Sequence, residues 1–250
     1  MRHTILQIGR SLVPEQLLQW LSRQWYLRTS LPVGSINWGD LRRRRPISQV
    51  WPNYRGQPID RYYIEQFLSG HAADINGHLL ELGDATYTRL FGGERVTEVD
   101  VLHGRPGNPT ATIVADLAKA DQIPSDRFDC IILTQTLLFI YELQAAVQTL
   151  HRILKPGGVL LVTLPGITQI IRNDMEEYGQ YWSFTEQSAQ RLFAERFGSS
   201  NVDTRTYGNV QSAAGFLYGM ATQELSKEEL DHHDLDYQLI IGVRVCKAKP

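Results

Sequence analysis

Carboxylates grouped around a single glycine are the first chemistry the chain offers. Glu81, Gly83 and Asp84 close the short apolar run Leu79–Leu82, Asp100 lies in the next such run, and Asp116 follows a third. At the end of a second strand a carboxylate can accept both hydroxyls of a ribose, and at the end of a third it can accept an exocyclic adenine amine. A turn after the first strand must aim backbone N–H groups at the ligand, which favours glycine, here Gly83. Thr134 and Gln135 follow a fourth run, Phe128–Leu133, and extend the row of polar residues at strand ends. His103, and His232 with His233, are the candidate proton acceptors near such ends. Adjacent histidines cannot share one helix face and here lack a third ligand at metal spacing, so no metal is expected. Each residue also has a plainer use: Asp116 as a helix cap, Gln135 as a loop amide, a lone histidine as a packing residue. Asp129 opens the fourth run, at the end away from such a site, and reads as structural, as does His151 inside a helix.

The elements that must position these residues can be read from periodicity. Leu79–Leu82, Val96–Leu102, Ala111–Val114, Phe128–Leu133 and Val159–Leu164 read as strands. The fourth is an almost unbroken apolar run of the kind buried on both faces of a parallel sheet. Between them lie a short helical piece, Tyr87–Phe91, and a helix, Glu142–Leu154, halted by Lys155-Pro-Gly-Gly158. Strand–helix alternation with short links predicts right-handed crossovers and a doubly wound, mostly parallel α/β sheet. Ser183 or Thr185 caps a helix to about Phe197, and Val202–Tyr207 and Tyr237–Val245 read as late strands around a helix-like stretch, Val210–Leu225. These two strands fit a seven-stranded sheet finished by an antiparallel edge strand. Upstream, Asp60 can cap a helix, Arg61–Leu68, closed by Gly70. Residues 13–26 read as a helix with Leu17, Leu18, Leu21 and Trp25 on one face. The expected division is an N-terminal helical extension, 1–58, and an α/β domain, 59–250.

Bulk properties exclude several classes. A chain of 250 residues with 42% hydrophobic and 21% charged content can bury a sizeable core. The formal net charge of −2 recommends neither a nucleic-acid nor a membrane partner. Arg42–Arg45 read as a solvated loop or helix end. Gln7, Gly9 and Arg10 interrupt the leader-like residues 1–12, so secretion is not expected. Cys130 and Cys246 sit in apolar runs, consistent with buried free thiols in a cytoplasmic protein.

Together Glu81-Leu-Gly83, Asp100, Ala115-Asp116-Leu117, Phe128-Asp129 and Leu150–Gly166 (LHRILKPGGVLLVTLPG) resemble the ordered motifs of class I S-adenosylmethionine-dependent methyltransferases. The resemblance covers about residues 60–250, and a reversed strand near the sheet edge characterises that Rossmann-like family. More narrowly, GDLRRRRPIS (39–48), RGQPIDRYYIEQFL (55–68) and YWSFTEQSAQRLF (181–193) resemble a bacterial branch found alone or fused to glycosyltransferases.

The resemblance implies S-adenosylmethionine as cofactor. Glu81, Gly83 and Asp84 would border its methionine, Asp100 its ribose, Asp116 and Leu117 its adenine, and Thr134 and Gln135 the methionine and transferable methyl. Arg61, Tyr62, Tyr181, Trp182 and His232 are the candidate contacts to a small-molecule or glycan acceptor, with His103 the general base for O-methylation. A glycosyltransferase partner or a homo-oligomer would suit the branch. In the first loop only the first of the family's usual glycines remains, which disfavours a dinucleotide but leaves small Ala85 and the Thr86 hydroxyl to admit a methionine end. Two other readings stay open: a non-catalytic domain binding a partner protein through residues 31–58, and a cofactor-binding enzyme of different chemistry.

Overall fold

The computed structural model describes residues 14–48 and 55–249. Residues 1–12 and the expected helix start at Val13 therefore lie outside the described residues. Contacts divide the chain into two compact units after Arg44. In the first, helix α1 (Glu15–Thr29) forms where the leucine and tryptophan spacing predicts it, yet Leu17, Leu21 and Trp25 stay exposed. Arg42–Arg44 are exposed beyond a single turn, Gly39–Leu41.

The second unit is a seven-stranded sheet in the order β3-β2-β1-β4-β5-β7-β6. Its strands are β1 (Gly77–Leu82), β2 (Val96–His103), β3 (Ile113–Val114), β4 (Phe128–Thr134), β5 (Leu154–Pro165), β6 (Val202–Tyr207) and β7 (Ile240–Cys246). The pairs β1–β2, β1–β4, β2–β3 and β4–β5 are parallel, and β7 runs antiparallel to both neighbours. The reversed strand thus stands one place in from the edge, with β6 outside it. Helices α2 (Ile59–Gly70), α3 (Thr86–Phe91), α4 (Leu143–Ile153), α5 (Arg172–Tyr178), α6 (Glu186–Phe197), α7 (Val210–Leu217) and α8 (Lys227–Asp231) complete the unit.

Alternation along the strands splits the core into two layers. Leu80, Ile131 and Leu133 join α4 and α6 on one face, while Leu79, Cys130 and Ile132 join α2 on the other. Thr185 caps α6 with a reciprocal bond to Ser188. Three expectations change. Lys155-Pro-Gly-Gly158 is the irregular start of β5 rather than a stop, with Gly157 at φ +81° and its N–H donating to the Lys247 carbonyl. The helix from Val210 ends at Leu217, because Gly219 turns at φ +70° against the backbone of Ser48. Pro58, without a side-chain cap bond, precedes α2, so Asp60 lies inside the helix instead of capping it.

Candidate active site

Parallel strands leave their carboxyl ends on one rim, and an open cleft of about 1690 Å³ lies there. Pockets for one small ligand hold about 300–1,000 Å³, so this cleft has room for two molecules. Gly83, Asp84, His103, Asp116, Leu117, Thr134 and Gln135 line it together with Glu81, Arg61 and Tyr181.

The first loop is organised by its two acids. Glu81, 2% exposed, accepts the N–H groups of Tyr87 at 2.9 Å and Thr88 at 2.8 Å. Those are first-turn donors of α3, which have no partner within the helix. Burial raises the Glu81 carboxyl above its ordinary range, against the bonds from Thr88 and Tyr87. Asp84 accepts the Thr86 N–H at 2.7 Å, and Gly83 turns at φ +87° with no atom within 4 Å of a notional Cβ. Glu81 therefore shapes the loop, while the space in front of Gly83 stays open to the cleft.

Asp100 is a correction. Strand β2 continues through Val101, Leu102 and His103, so the carboxylate sits three residues short of the strand end and does not line the cleft. It receives the Thr112 hydroxyl at 2.6 Å and the Arg127 guanidinium at 2.7 Å, and His78 Nε2 lies 2.9 Å away. Burial would raise this carboxyl; the Thr112 and His78 bonds and the Arg127 charge outweigh it and hold it below the usual range. Glu98 brings a second carboxylate oxygen within 4.8 Å of His78 and Asp100. With a guanidinium already on Asp100, the trio is an ion-pair network between β1, β2 and the start of β4. His103 occupies the strand end instead, its Nδ1 2.7 Å from the Arg105 carbonyl.

Asp116 accepts the Ala118 N–H at 2.9 Å through one oxygen, and Leu117 beside it is buried. Gln135 holds φ +46°, a conformation that costs a non-glycine residue about 1–3 kcal/mol and recurs at functional sites. Its N–H donates to the Thr163 carbonyl at 2.9 Å. Asp129, at the opposite sheet end, accepts the His78 N–H and Lys155 Nζ, as a structural residue should.

Acceptor candidates divide. Arg61 donates to the Tyr87 hydroxyl, and both line the cleft; burial works against the Arg61 charge, but Tyr87 raises its affinity for the proton overall. Tyr181 also lines it, half-exposed and edge-on to Tyr141. Three expected residues fall outside. Tyr62 points its hydroxyl to Asp231 at 2.6 Å, Trp182 Nε1 donates to the Ile140 carbonyl at 3.0 Å, and His232 follows α8 with its N–H on the Glu228 carbonyl. The side chains of Tyr62 and Trp182 are spent on bonds away from the cleft, and His232 ends a helix outside it, which residue type alone does not reveal.

Sequence reasoning missed Asp60. It lines the cleft at 7% exposure, and burial pushes its carboxyl up to about 6, against the charge of Arg61 and the bond from the Arg61 N–H. Its place at a helix start disguised it as a cap.

Seven carboxylates and three guanidiniums line the cleft, a balance that suits a cation. S-adenosylmethionine carries a sulfonium and an ammonium on a linear nucleoside. The open face of Gly83, the unshared oxygen of Asp116 and this acidic wall fit such a molecule.

Comparison with known proteins agrees. A methyltransferase-domain family model matches residues 79–162, from β1 into β5. The ubiquinone/menaquinone biosynthesis C-methyltransferases UbiE of Citrobacter koseri and Proteus mirabilis are 28% and 30% identical over 127 residues. Each match takes in 42% of this chain and 45% of the relative, so the chain spans about half the length of the curated relatives it matches. Among solved structures, an S-adenosylmethionine-dependent methyltransferase of Archaeoglobus fulgidus aligns at TM-score 0.49 with 8% identity, over 75% of this chain and 94% of that one. The N-methyltransferase NodS of Bradyrhizobium japonicum, in complex with S-adenosyl-L-homocysteine, aligns at 0.47 with 13% identity, over 76% and 88%. The family match, from residue 79 to residue 162, thus falls on the parallel half of a seven-stranded sheet whose reversed strand stands between β5 and β6.

Proposed function

We propose that the protein transfers a methyl group from S-adenosylmethionine to a hydroxyl of a small molecule or sugar, with Asp60 as the proton acceptor. When bound, the cofactor supplies a methyl on sulfur that leaves as a neutral thioether. The residues of the chain then have to align the acceptor, exclude competing water and take the hydroxyl proton. One observation carries the reading: a buried carboxyl raised to about 6 stands in the wall of the ligand cleft. An acid so placed remains ionised at neutral pH and is a stronger base than an exposed aspartate. Arg61, next to it and bonded to Tyr87 of the first-loop helix, places the pair beside the loop expected to hold the methionine. His103 pairs with Val114 of β3, on the side of the cleft toward Asp116. Tyr178 and Tyr181 offer aromatic faces with polar tips, as a sugar ring needs.

A carbon acceptor is the second reading, favoured by the match to relatives named C-methyltransferases. Asp60 would then remove a proton from carbon. Incubation with methyl-labelled S-adenosylmethionine and panels of hydroxylated and enolisable acceptors separates the two by the atom labelled. No labelled product, and no thermal shift with S-adenosylmethionine or S-adenosylhomocysteine, would sink both. No helix among the described residues is long and apolar enough to cross a membrane.

A further inference from the structure

We infer that His103 takes the ribose of the nucleoside cofactor through Nε2, in the place where a carboxylate would be expected. The inference rests on the proposed cofactor and on the register of three neighbouring strands. Gly83 donates its N–H to the Leu102 carbonyl at 3.0 Å, and Ala115 donates to the His103 carbonyl at 3.0 Å. His103 itself pairs with Val114. The end of β2 is thereby fixed between Gly83 on one side and Ala115–Asp116 on the other. Adjacent strands are about 4.8 Å apart. A sulfonium nucleoside laid with its adenine at Asp116 and its methionine at Gly83 must set the ribose, which joins them, over the end of β2.

No carboxylate waits there. Asp100 is three residues back and engaged by His78, Thr112 and Arg127. Asp84 is turned to the Thr86 N–H. What the strand end offers is an imidazole in a defined tautomer. Nδ1 lies 2.7 Å from the Arg105 carbonyl, which can only accept, so Nδ1 carries the proton. The longer approach of the Arg105 N–H to the same nitrogen, at 3.3 Å, would need the opposite tautomer. Nε2 is then the acceptor and lies on a residue that lines the cleft. One nitrogen accepts one hydroxyl, whereas a carboxylate grips two, so this site holds its ribose at a single point.

The test is a thermodynamic cycle between side chain and ligand, measured by calorimetry on the full chain. S-adenosylhomocysteine and its 2′-deoxy and 3′-deoxy analogues are titrated into wild type, His103→Ala, His103→Gln and Asp100→Asn, each checked for folding by thermal melt. Wild type should lose roughly five- to tenfold in affinity for one deoxy analogue, the strength of a single neutral hydrogen bond. His103→Ala should bind the parent ligand correspondingly more weakly and show no further loss with that analogue. His103→Gln, which keeps an acceptor, should recover part of the difference, and folded Asp100→Asn should bind like wild type. Equal analogue penalties in wild type and His103→Ala, or intact binding in His103→Ala beside lost binding in Asp100→Asn, overturn the assignment while leaving the cofactor reading standing. Failure of wild type to bind S-adenosylhomocysteine overturns both.

Discussion

Replacing Asp60 by asparagine should make the protein more stable and less active at once. A carboxyl raised from 3.8 to about 6 by burial holds its charge, once ionised, at a cost of about 3 kcal/mol relative to the unfolded chain. The figure is an order of magnitude and already contains the relief from Arg61. Asparagine keeps an oxygen for the Arg61 N–H, which Asp60 Oδ1 accepts at 2.8 Å, so little bonding is lost. The sign follows from proton uptake. Between about pH 4 and 6 the folded chain keeps a proton that the unfolded chain has released. Asp60 therefore lowers stability progressively as pH rises through that window, and the loss is complete above it. Urea unfolding at pH 4 should show Asp60→Asn and wild type nearly equal; at pH 7.5 the variant should be ahead by about 2–3 kcal/mol, with unchanged m-value. Methyl transfer should fall by about two to four orders of magnitude, as for loss of a general base. Equal stabilities at pH 7.5, or an advantage of the same size at both pH values, would refute the burial argument. Full turnover in the variant would remove Asp60 from the chemistry.

Other positions give separate checks. Asp100→Asn should cost about 2–3 kcal/mol at neutral pH by leaving the Arg127 and His78 donors short of a charged acceptor. Because the Asp100 carboxyl is held below its ordinary range, its contribution stands at neutral pH and fades as pH falls through that depressed value; urea curves of variant and wild type, apart at neutral pH, should converge at acid pH. Glu81→Ala strands the buried N–H groups of Tyr87 and Thr88 and should cost about 2–4 kcal/mol, with hydrogen exchange accelerated in α3. Gly242→Ala drives a Cβ to 2.4 Å from the Phe67 ring and should lower the urea midpoint by the equivalent of about 1–3 kcal/mol.

Strand order and layers were legible because the chain's apolar runs are unusually plain. Phe128–Leu133 has no polar interruption beyond Asp129, and the family-like turn before Val159 marks the next strand. Gly83 and Asp116 followed from strand ends, Thr134 and Gln135 from the family resemblance, and the cleft gathers all four. Asp100 misled because a run of seven or eight residues does not say where its strand stops. The expected strand already ran two residues past Asp100 and the observed one adds only His103, so the acid lies inside the sheet, where Thr112 and Arg127, distant in sequence, engage it. Asp60 was hidden for the opposite reason: a helix-start position explains an acid so well that burial goes unsuspected. The fates of Tyr62 and Trp182 depend on single side-chain hydrogen bonds to Asp231 and Ile140, which no periodicity encodes.

The position of β7 has a consequence for synthesis. Strand β6 pairs with β7 alone, and β5 is open on that side until β7 arrives. A nascent chain that has reached Tyr207 therefore presents two strands with unpaired backbone groups, and the sheet cannot be sealed before Cys246 has left the ribosome. Late closure of this kind leaves β5 and β6 waiting on β7, and it exposes products that stop short of β7 to edge-to-edge aggregation.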